Sequence, residues 1–216
     1  MAGVDLGIDL GTTKIIVYRR GKGIVLEEPS VVAYNIRTEQ VVAVGHEALA
    51  MLGKTPAYIQ TECPIRDGVI SNHLFTEYLV KEFVRKVTRS FLIKPRIAIC
   101  IPSSITPVEA RAVVEAAMSA GARKVYLVDE PLAAAMGAGI DVTAPSGHMM
   151  VDSGGGTTDV AVISLGGVVT ADSLRVAGNT FDEAIIKYIQ SAYKMAIGSK
   201  VAEKLKKEIG CVFDPD

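Results

Sequence analysis

The sequence predicts an α/β fold made of two related lobes, and two observations carry that prediction. A short phrase occurs twice. It reads Asp9-Leu10-Gly11-Thr12-Thr13-Lys14, then Ile15-Ile16-Val17-Tyr18, and again Asp152-Ser153-Gly154-Gly155-Gly156-Thr157-Thr158-Asp159, then Val160-Ala161-Val162-Ile163. Each copy is an apolar run, an Asp, a glycine turn, two hydroxyl residues and a second apolar run, which makes a strand, a tight turn and a strand. Strand and helix patterns follow each copy, so the order of elements itself repeats.

Residues 4–10 and 14–18 form the first expected hairpin. Strands and turns alternate over 24–34 and 40–45, a stretch short enough to be a small inserted lobe. From Asn72 to Ser90, Phe75, Leu79, Phe83 and Val87 recur at a four-residue spacing that indicates a helix. Arg96–Ile101 reads as a buried strand. Thr106-Pro107-Val108-Glu109 is a capping box with Pro at the first helical position, and Gly121 closes that helix. Lys124–Val128 is a short strand, and Pro131 opens a small-residue helix ending near Gly137 or Gly139. The theme restarts with 148–152, the second hairpin, and a strand over 168–175. Thr180-Phe181-Asp182-Glu183 reads as a second capping box, opening a helix with Ile185, Ile189 and Ala192 on one face. Ser199 is expected to cap a last helix bearing Ala202, Leu205 and Ile209.

The composition excludes several functions. With 23 basic and 24 acidic residues the formal charge is −1, so there is no whole-chain basic field for nucleic acid. No apolar run approaches the roughly 20 residues that span a bilayer. The N-terminus lacks the charged start and long apolar region of a signal peptide. The 3 cysteines and 3 histidines are scattered, which suits free thiols in a reducing compartment and argues against a zinc site.

Glycine turns bring backbone N–H groups close to an anion, and threonine hydroxyls add donors. A carboxylate beside such a turn repels phosphate unless a cation lies between them. Asp9 and Asp152 therefore suit ligands of Mg²⁺, direct or through water. One Asp-x-Gly-Thr-Thr alone is more often an ordinary hairpin; two copies with parallel spacing favour a paired grip on a polyphosphate. The usual P-loop is absent. Asp129-Glu130-Pro131 lies at a strand end before a helix, where a carboxylate either activates a water attacking a γ-phosphate or merely complements the helix dipole. The pattern leaves both open.

These motifs together resemble the actin-like ATPase superfamily, with its ribonuclease H-like fold, and within it the bacterial actin homologues of the MreB type. The resemblance extends to Gly21–Ala33, Ala43–Ala48, Leu52–Pro56, Pro64–Ile70, Asp129–Ala135 and Pro145–Ser164, nearly the whole chain. It implies that Gly11, Thr12, Thr13 and Lys14 form the first phosphate turn and Gly154, Gly155, Gly156 and Thr157 the second. It places Asp9 and Asp152 on the magnesium side. Glu130 and Thr158 become the candidate catalytic residues, Glu130 positioning the attacking water. Gly178 falls in a turn that approaches the nucleotide. Glu203 and Lys206 fall on a helix that touches ribose and adenine, although Glu203 and Lys207 also read as a plain i,i+4 pair. Phe91, Leu92 and Ile93, between a basic helix end and Lys94, are either an interfacial loop that dips into lipid or a strand start tucked into the core.

Two departures stand out. Thr13-Lys14 replaces the family's more usual Ala-Asn, and Asn179 replaces its Asp. Family members also continue past residue 216, so the resemblance implies that the C-terminal third is lacking. Domain I is expected over 1–140, with a small lobe at about 32–70, and an incomplete domain II over 141–216. The implied function is an ATP- and Mg²⁺-binding cytoskeletal protein, cytoplasmic and peripheral at the inner membrane. It would polymerise with itself, hydrolyse ATP slowly and organise membrane proteins of cell-wall synthesis and cell shape. The alternatives are a nucleotide-binding scaffold with little hydrolysis, or another ATPase of the superfamily such as a chaperone.

Overall fold

The computed structural model describes residues 5–66, 68–88, 94–103 and 105–213. The expected lipid-facing loop Phe91-Leu92-Ile93 lies outside the described residues. The first hairpin is β1 (Asp5–Leu10) and β2 (Lys14–Arg19), extended by β3 (Gly23–Pro29). On its other side β1 pairs in parallel with β9 (Arg96–Ile101), and β9 with β10 (Lys124–Asp129), giving the order β10-β9-β1-β2-β3. Alternation turns Leu6, Ile8, Ile97 and Ile99 inward, where helices α2 (His73–Val87) and α3 (Pro107–Ser119) cover them with Phe75, Leu79, Phe83, Val113 and Ala117. Asn72 caps α2 through Phe75 N–H, and Thr106 with Glu109 forms the expected capping box on α3. Gly121 closes α3 at φ +98°, a left-handed conformation that suits glycine.

Between β3 and α2 lies a smaller sheet of β4 (Val32–Asn35), β5 (Gln40–Val44) and β6 (Ile59–Glu62), in the order β5-β4-β6. Helix α1 (His46–Met51) packs on it through Ala48, with Val31 and Ala33. At six residues, α1 is too short to leave a periodic signal in the sequence. It also has no side-chain cap of its own. Glu28 of β3 supplies one from outside: its carboxylate accepts the His46 N–H at 2.8 Å and a bond from Lys86 Nζ of α2 at 2.8 Å. Partial burial pushes Glu28 up, but Lys86 and the His46 N–H outweigh it and leave the carboxyl below its usual range. Its stabilising effect is therefore present at neutral pH and is lost as pH falls through that lowered value. Glu28→Ala should cost about 1–2 kcal/mol at pH 7. The difference in thermal midpoint from the parent should narrow at pH 3–4; a constant difference would mean that lost packing, not charge, is responsible.

A two-stranded turn, β7 (Ile65–Arg66) and β8 (Val69–Ile70), then carries Gly68 toward the first hairpin. Helix α4 (Glu130–Gly137) follows β10 directly and bridges to the second sheet, packing Ala135 on Val142 and Ile163. That sheet is β11 (His148–Ser153), β12 (Thr158–Ser164) and β13 (Gly167–Leu174), antiparallel in the order β11-β12-β13. It repeats the arrangement β1-β2-β3. Among the described residues no strand pairs with the far side of β11, whereas β1 has β9 there.

Helices α5 (Gly178–Tyr193) and α6 (Ser199–Ile209) complete the described chain and pack on each other. Both start differently from the expectation. Helix α5 begins at Gly178, and Thr180 acts three residues in, its hydroxyl accepting the Ala177 N–H at 3.5 Å. The reason lies outside the helix: the Gly178 and Asn179 N–H groups donate to the carbonyls of Gly154 and Gly155, at 3.1 and 2.8 Å. Carbonyls of the second turn do the work of a cap. Ser199 is the first residue of α6, after an uncapping Gly198.

Candidate functional site

The two glycine turns meet across a cleft. A cavity of about 520 Å³ is lined by Asp9, Gly11, Thr12, Thr13 and Lys14 on one side and by Asp152, Gly154, Gly155, Gly156 and Thr157 on the other. Glu130 enters it from the start of α4, and Gly178, Glu203 and Lys206 from α5 and α6. Stretches far apart in sequence are thus brought to one place. A wider cavity of about 900 Å³ adjoins it, sharing Thr13, Lys14 and Glu203 and reaching the small lobe at His46 and Leu49.

The turns approach so closely that glycine is required. A methyl group at Gly155 would overlap the Thr13 hydroxyl and lie 3.0 Å from Thr13 Cβ. One at Gly11 would come within 2.7 Å of the Lys14 carbonyl oxygen. Because the carbonyls of Gly154 and Gly155 point at α5, the planar trans peptides aim the N–H groups of Gly155 and Gly156 the opposite way. Thr12 Oγ1 accepts the Gly68 N–H at 3.2 Å, which ties the first turn to β7–β8.

Negative charge is concentrated on the floor. Burial, then Asp152, pushes the Asp9 carboxyl up, against a smaller opposing pull from Lys14. Glu130 is pushed up to about 7 by burial, then Asp9, Asp159 and Asp152. Cys100, on the neighbouring strand, goes up to about 12 by burial and by Asp9, Glu130 and Asp152. Carboxylates this crowded call for a cation. Among the described residues no three His, Cys, Asp or Glu converge as a self-sufficient metal cage. The arrangement fits Mg²⁺ instead, which takes one or two carboxylates and completes its shell with water and phosphate oxygens. Donor-rich turns, a cradle that a Cβ would fill and a carboxylate pair at its base together fit a magnesium polyphosphate.

Some expected residues are placed differently. Thr158 does not line the cavity; its hydroxyl donates to the Val176 carbonyl at 2.7 Å and lies 2.9 Å from Ser153 Oγ. Strand alternation sends it to the other side from Thr157, which faces the cleft and touches the Gly68 turn. Lys206 lines the cavity but is engaged within the chain, 2.8 Å from Asp182 and 2.8 Å from the Gly178 carbonyl. It fastens α6 to the start of α5. Glu203 pairs with Lys207 at 2.6 Å, the plain i,i+4 bond, and still faces both cavities. Sequence reasoning missed Asp159, buried opposite Asp152 with Oδ1 unpaired, and Glu27, which holds Lys14 at 2.7 Å. Asp159 ends the second phrase itself and was legible there; nothing local marked Glu27.

Two hairpins of one order, each carrying an Asp and a glycine turn, closed face to face with a carboxylate at a helix start, define the actin-like ATPase fold. The chain superimposes on MreB5 of Spiroplasma citri bound to ADP with a TM-score of 0.91 at 39% identity, covering 99% of this chain and 64% of that one. On the same protein bound to AMPPNP the TM-score is 0.90 at 40% identity, covering 100% and 65%. The MreB/Mbl protein family matches residues 3–216, and the chain belongs to that family. It is 49% identical over 210 residues to the cell shape-determining protein Mbl of Bacillus cereus, covering 97% of this chain and 63% of the relative. To the cell shape-determining protein MreB of Escherichia coli it is 48% identical over 220 residues, covering 98% and 63%. The chain thus spans just under two thirds of the length of these relatives.

Proposed function

We propose that this chain forms the nucleotide-gripping part of an actin-like cytoskeletal protein that determines cell shape. The observation that carries the reading is the convergence of both glycine turns, Asp9, Asp152 and Glu130 on one cavity. The similar MreB5 structures bound to ADP and to AMPPNP support a nucleotide as the ligand. ATP with Mg²⁺ would supply the transferable γ-phosphoryl and its charge neutralisation. The chain's own residues do the rest. The N–H groups of Gly155 and Gly156 and the hydroxyls of Thr12, Thr13 and Thr157 hold phosphate oxygens. Asp9 and Asp152 hold the cation. Glu130 orients a water and accepts its proton. Glu203, which lines both cavities, would hold the ribose.

In the same reading domain I spans 1–140, with the small lobe at about 32–70, and the part of domain II present here spans 141–216. Self-association into filaments, slow ATP hydrolysis and a cytoplasmic position at the inner membrane, through Phe91, Leu92 and Ile93, follow for the whole protein. Membrane proteins of cell-wall synthesis would be its partners. No helix among the described residues is long and apolar enough to cross a membrane. Attachment in this reading is peripheral, with many weak loops acting together along a polymer. A scaffold with little hydrolysis is the second reading, favoured by Thr158, whose hydroxyl is committed to Val176.

Titration calorimetry tests the reading. Mg²⁺-ATP should bind the chain, and Asp152→Ala should weaken binding on the order of 10-fold or more. Equal binding by both chains, or none by the parent, would refute it.

A further inference from the structure

Lys14 and Glu27 line both the phosphate-side cavity and the wider one beside it. Lys14 opens β2 directly after the first turn. In the β2–β3 register Lys14 lies opposite Pro29 and Ile16 opposite Glu27. Lys14 and Glu27 are therefore diagonal neighbours on one face of the sheet. Their charged ends meet at 2.7 Å, with side chains 53% and 54% exposed.

A carboxylate at the mouth of an anion-binding cleft opposes the ligand unless something neutralises it. Here Lys14 does, and Lys14 is also the cation adjoining the first turn. The other lysines that line the phosphate-side cavity have partners on their own lobe: Lys206 is held by Asp182 and the Gly178 carbonyl, and Lys207 by Glu203. Glu28, next to Glu27, is likewise committed to His46 N–H and Lys86. Half-exposed ion pairs are weak, whereas a lysine that bonds several phosphate oxygens in a partly closed site makes stronger, charge-assisted bonds. A polyphosphate can thus take Lys14 from Glu27.

We propose that Glu27 is a counter-ion which Lys14 exchanges for the polyphosphate of an incoming nucleotide, so that this carboxylate tunes how tightly the cleft binds. The inference rests on the nucleotide reading above. Without ligand, Glu27 holds Lys14 along β3 and keeps the cleft mouth near neutral. With ligand, Lys14 Nζ turns to the phosphate oxygens and Glu27 is left charged beside a polyanion. Each binding event breaks one ion pair, and the affinity is lower than the turns alone would give. The Glu27 carboxyl lies below its usual range because Lys14 bonds it.

A double-mutant cycle tests the exchange. Tripolyphosphate and Mg²⁺-ATP are titrated separately into the parent chain, Glu27→Gln, Lys14→Met and the double variant. Glu27→Gln should tighten binding of both ligands and Lys14→Met should weaken it. The gain from Glu27→Gln should be about two- to fivefold larger when Lys14 is present than when it is absent. Simple repulsion of the ligand by Glu27 would give the same gain in both backgrounds, and that result overturns the exchange while leaving the nucleotide reading intact. If the parent chain takes neither ligand, the exchange and the nucleotide reading fall together.

Discussion

Glu130→Gln should leave Mg²⁺-ATP binding within about threefold of the parent and lower phosphate release on the order of 10²- to 10⁴-fold. Glu130 is the first residue of α4, set at the end of β10, and lines the cavity between the two glycine turns. Burial and three neighbouring carboxylates raise it to about 7, well above its ordinary 4.5. Only the ionised form can accept a proton from water, so phosphate release should rise with pH through about 7 and level off above it. A cation beside Asp9 and Asp152 offsets two of the three charges that raise Glu130, so more Mg²⁺ should move the midpoint down. The same shift has a consequence for stability. A carboxyl whose folded value is raised binds its proton more tightly in the native state, so its contribution is fully present below 4.5 and lost as pH climbs through 7. The loss is at most about 3 kcal/mol. Glu130→Gln should therefore melt higher than the parent at pH 8, with the gap closing toward pH 5. Unchanged phosphate release in the variant would remove Glu130 from the chemistry, and a pH-independent melting difference would remove the charge argument.

How much of this was legible follows from the reach of each signal. The two hairpins, the α3 capping box and the β9 strand were readable because each is specified within a dozen residues. The two glycine turns were readable because the phrase occurs twice. The start of α5 was not, since its first N–H groups are satisfied by the Gly154 and Gly155 carbonyls, more than twenty residues earlier. Lys206 looked like a ligand contact on the helix surface. Its bond to Asp182 depends on α5 and α6 packing together, which no periodicity specifies. Thr158 and Thr157 are adjacent and chemically alike, and only the strand's alternation, once its register is known, shows which one faces the cleft. Glu27 became part of the site because β3 lies beside β2.

Gly155→Ala should open the cleft. The residue has no positive φ among those the backbone requires, so alanine fits its local conformation and the whole effect is steric and across the cleft. The added methyl group overlaps Thr13 Oγ1 and lies 3.0 Å from Thr13 Cβ. Rotating the threonine relieves the first contact but not the second. Neither backbone yields easily: the Thr13 carbonyl accepts the Ser30 N–H at 3.0 Å and the Gly155 carbonyl accepts the Asn179 N–H at 2.8 Å. The two turns must therefore move apart by a fraction of an ångström to about one ångström. Overpacking of this kind costs about 1–3 kcal/mol, and strain of that size that must be borne to close the turns on one ligand corresponds to about 10- to 100-fold in affinity. Calorimetry should show Mg²⁺-ATP affinity falling by about 10- to 100-fold with the fold retained by circular dichroism. Thr13→Gly removes both the hydroxyl and Cβ, so in that background Gly155→Ala should cost less thermal stability than it does in the parent chain. Gly154→Ala is the comparison, because its methyl group meets only the Thr157 carbonyl oxygen at 3.5 Å, an ordinary contact. If Gly154→Ala proves as damaging as Gly155→Ala, or Gly155→Ala costs as much stability in the Thr13→Gly background as in the parent, the spacing of the turns is not set by the contact between Thr13 and Gly155.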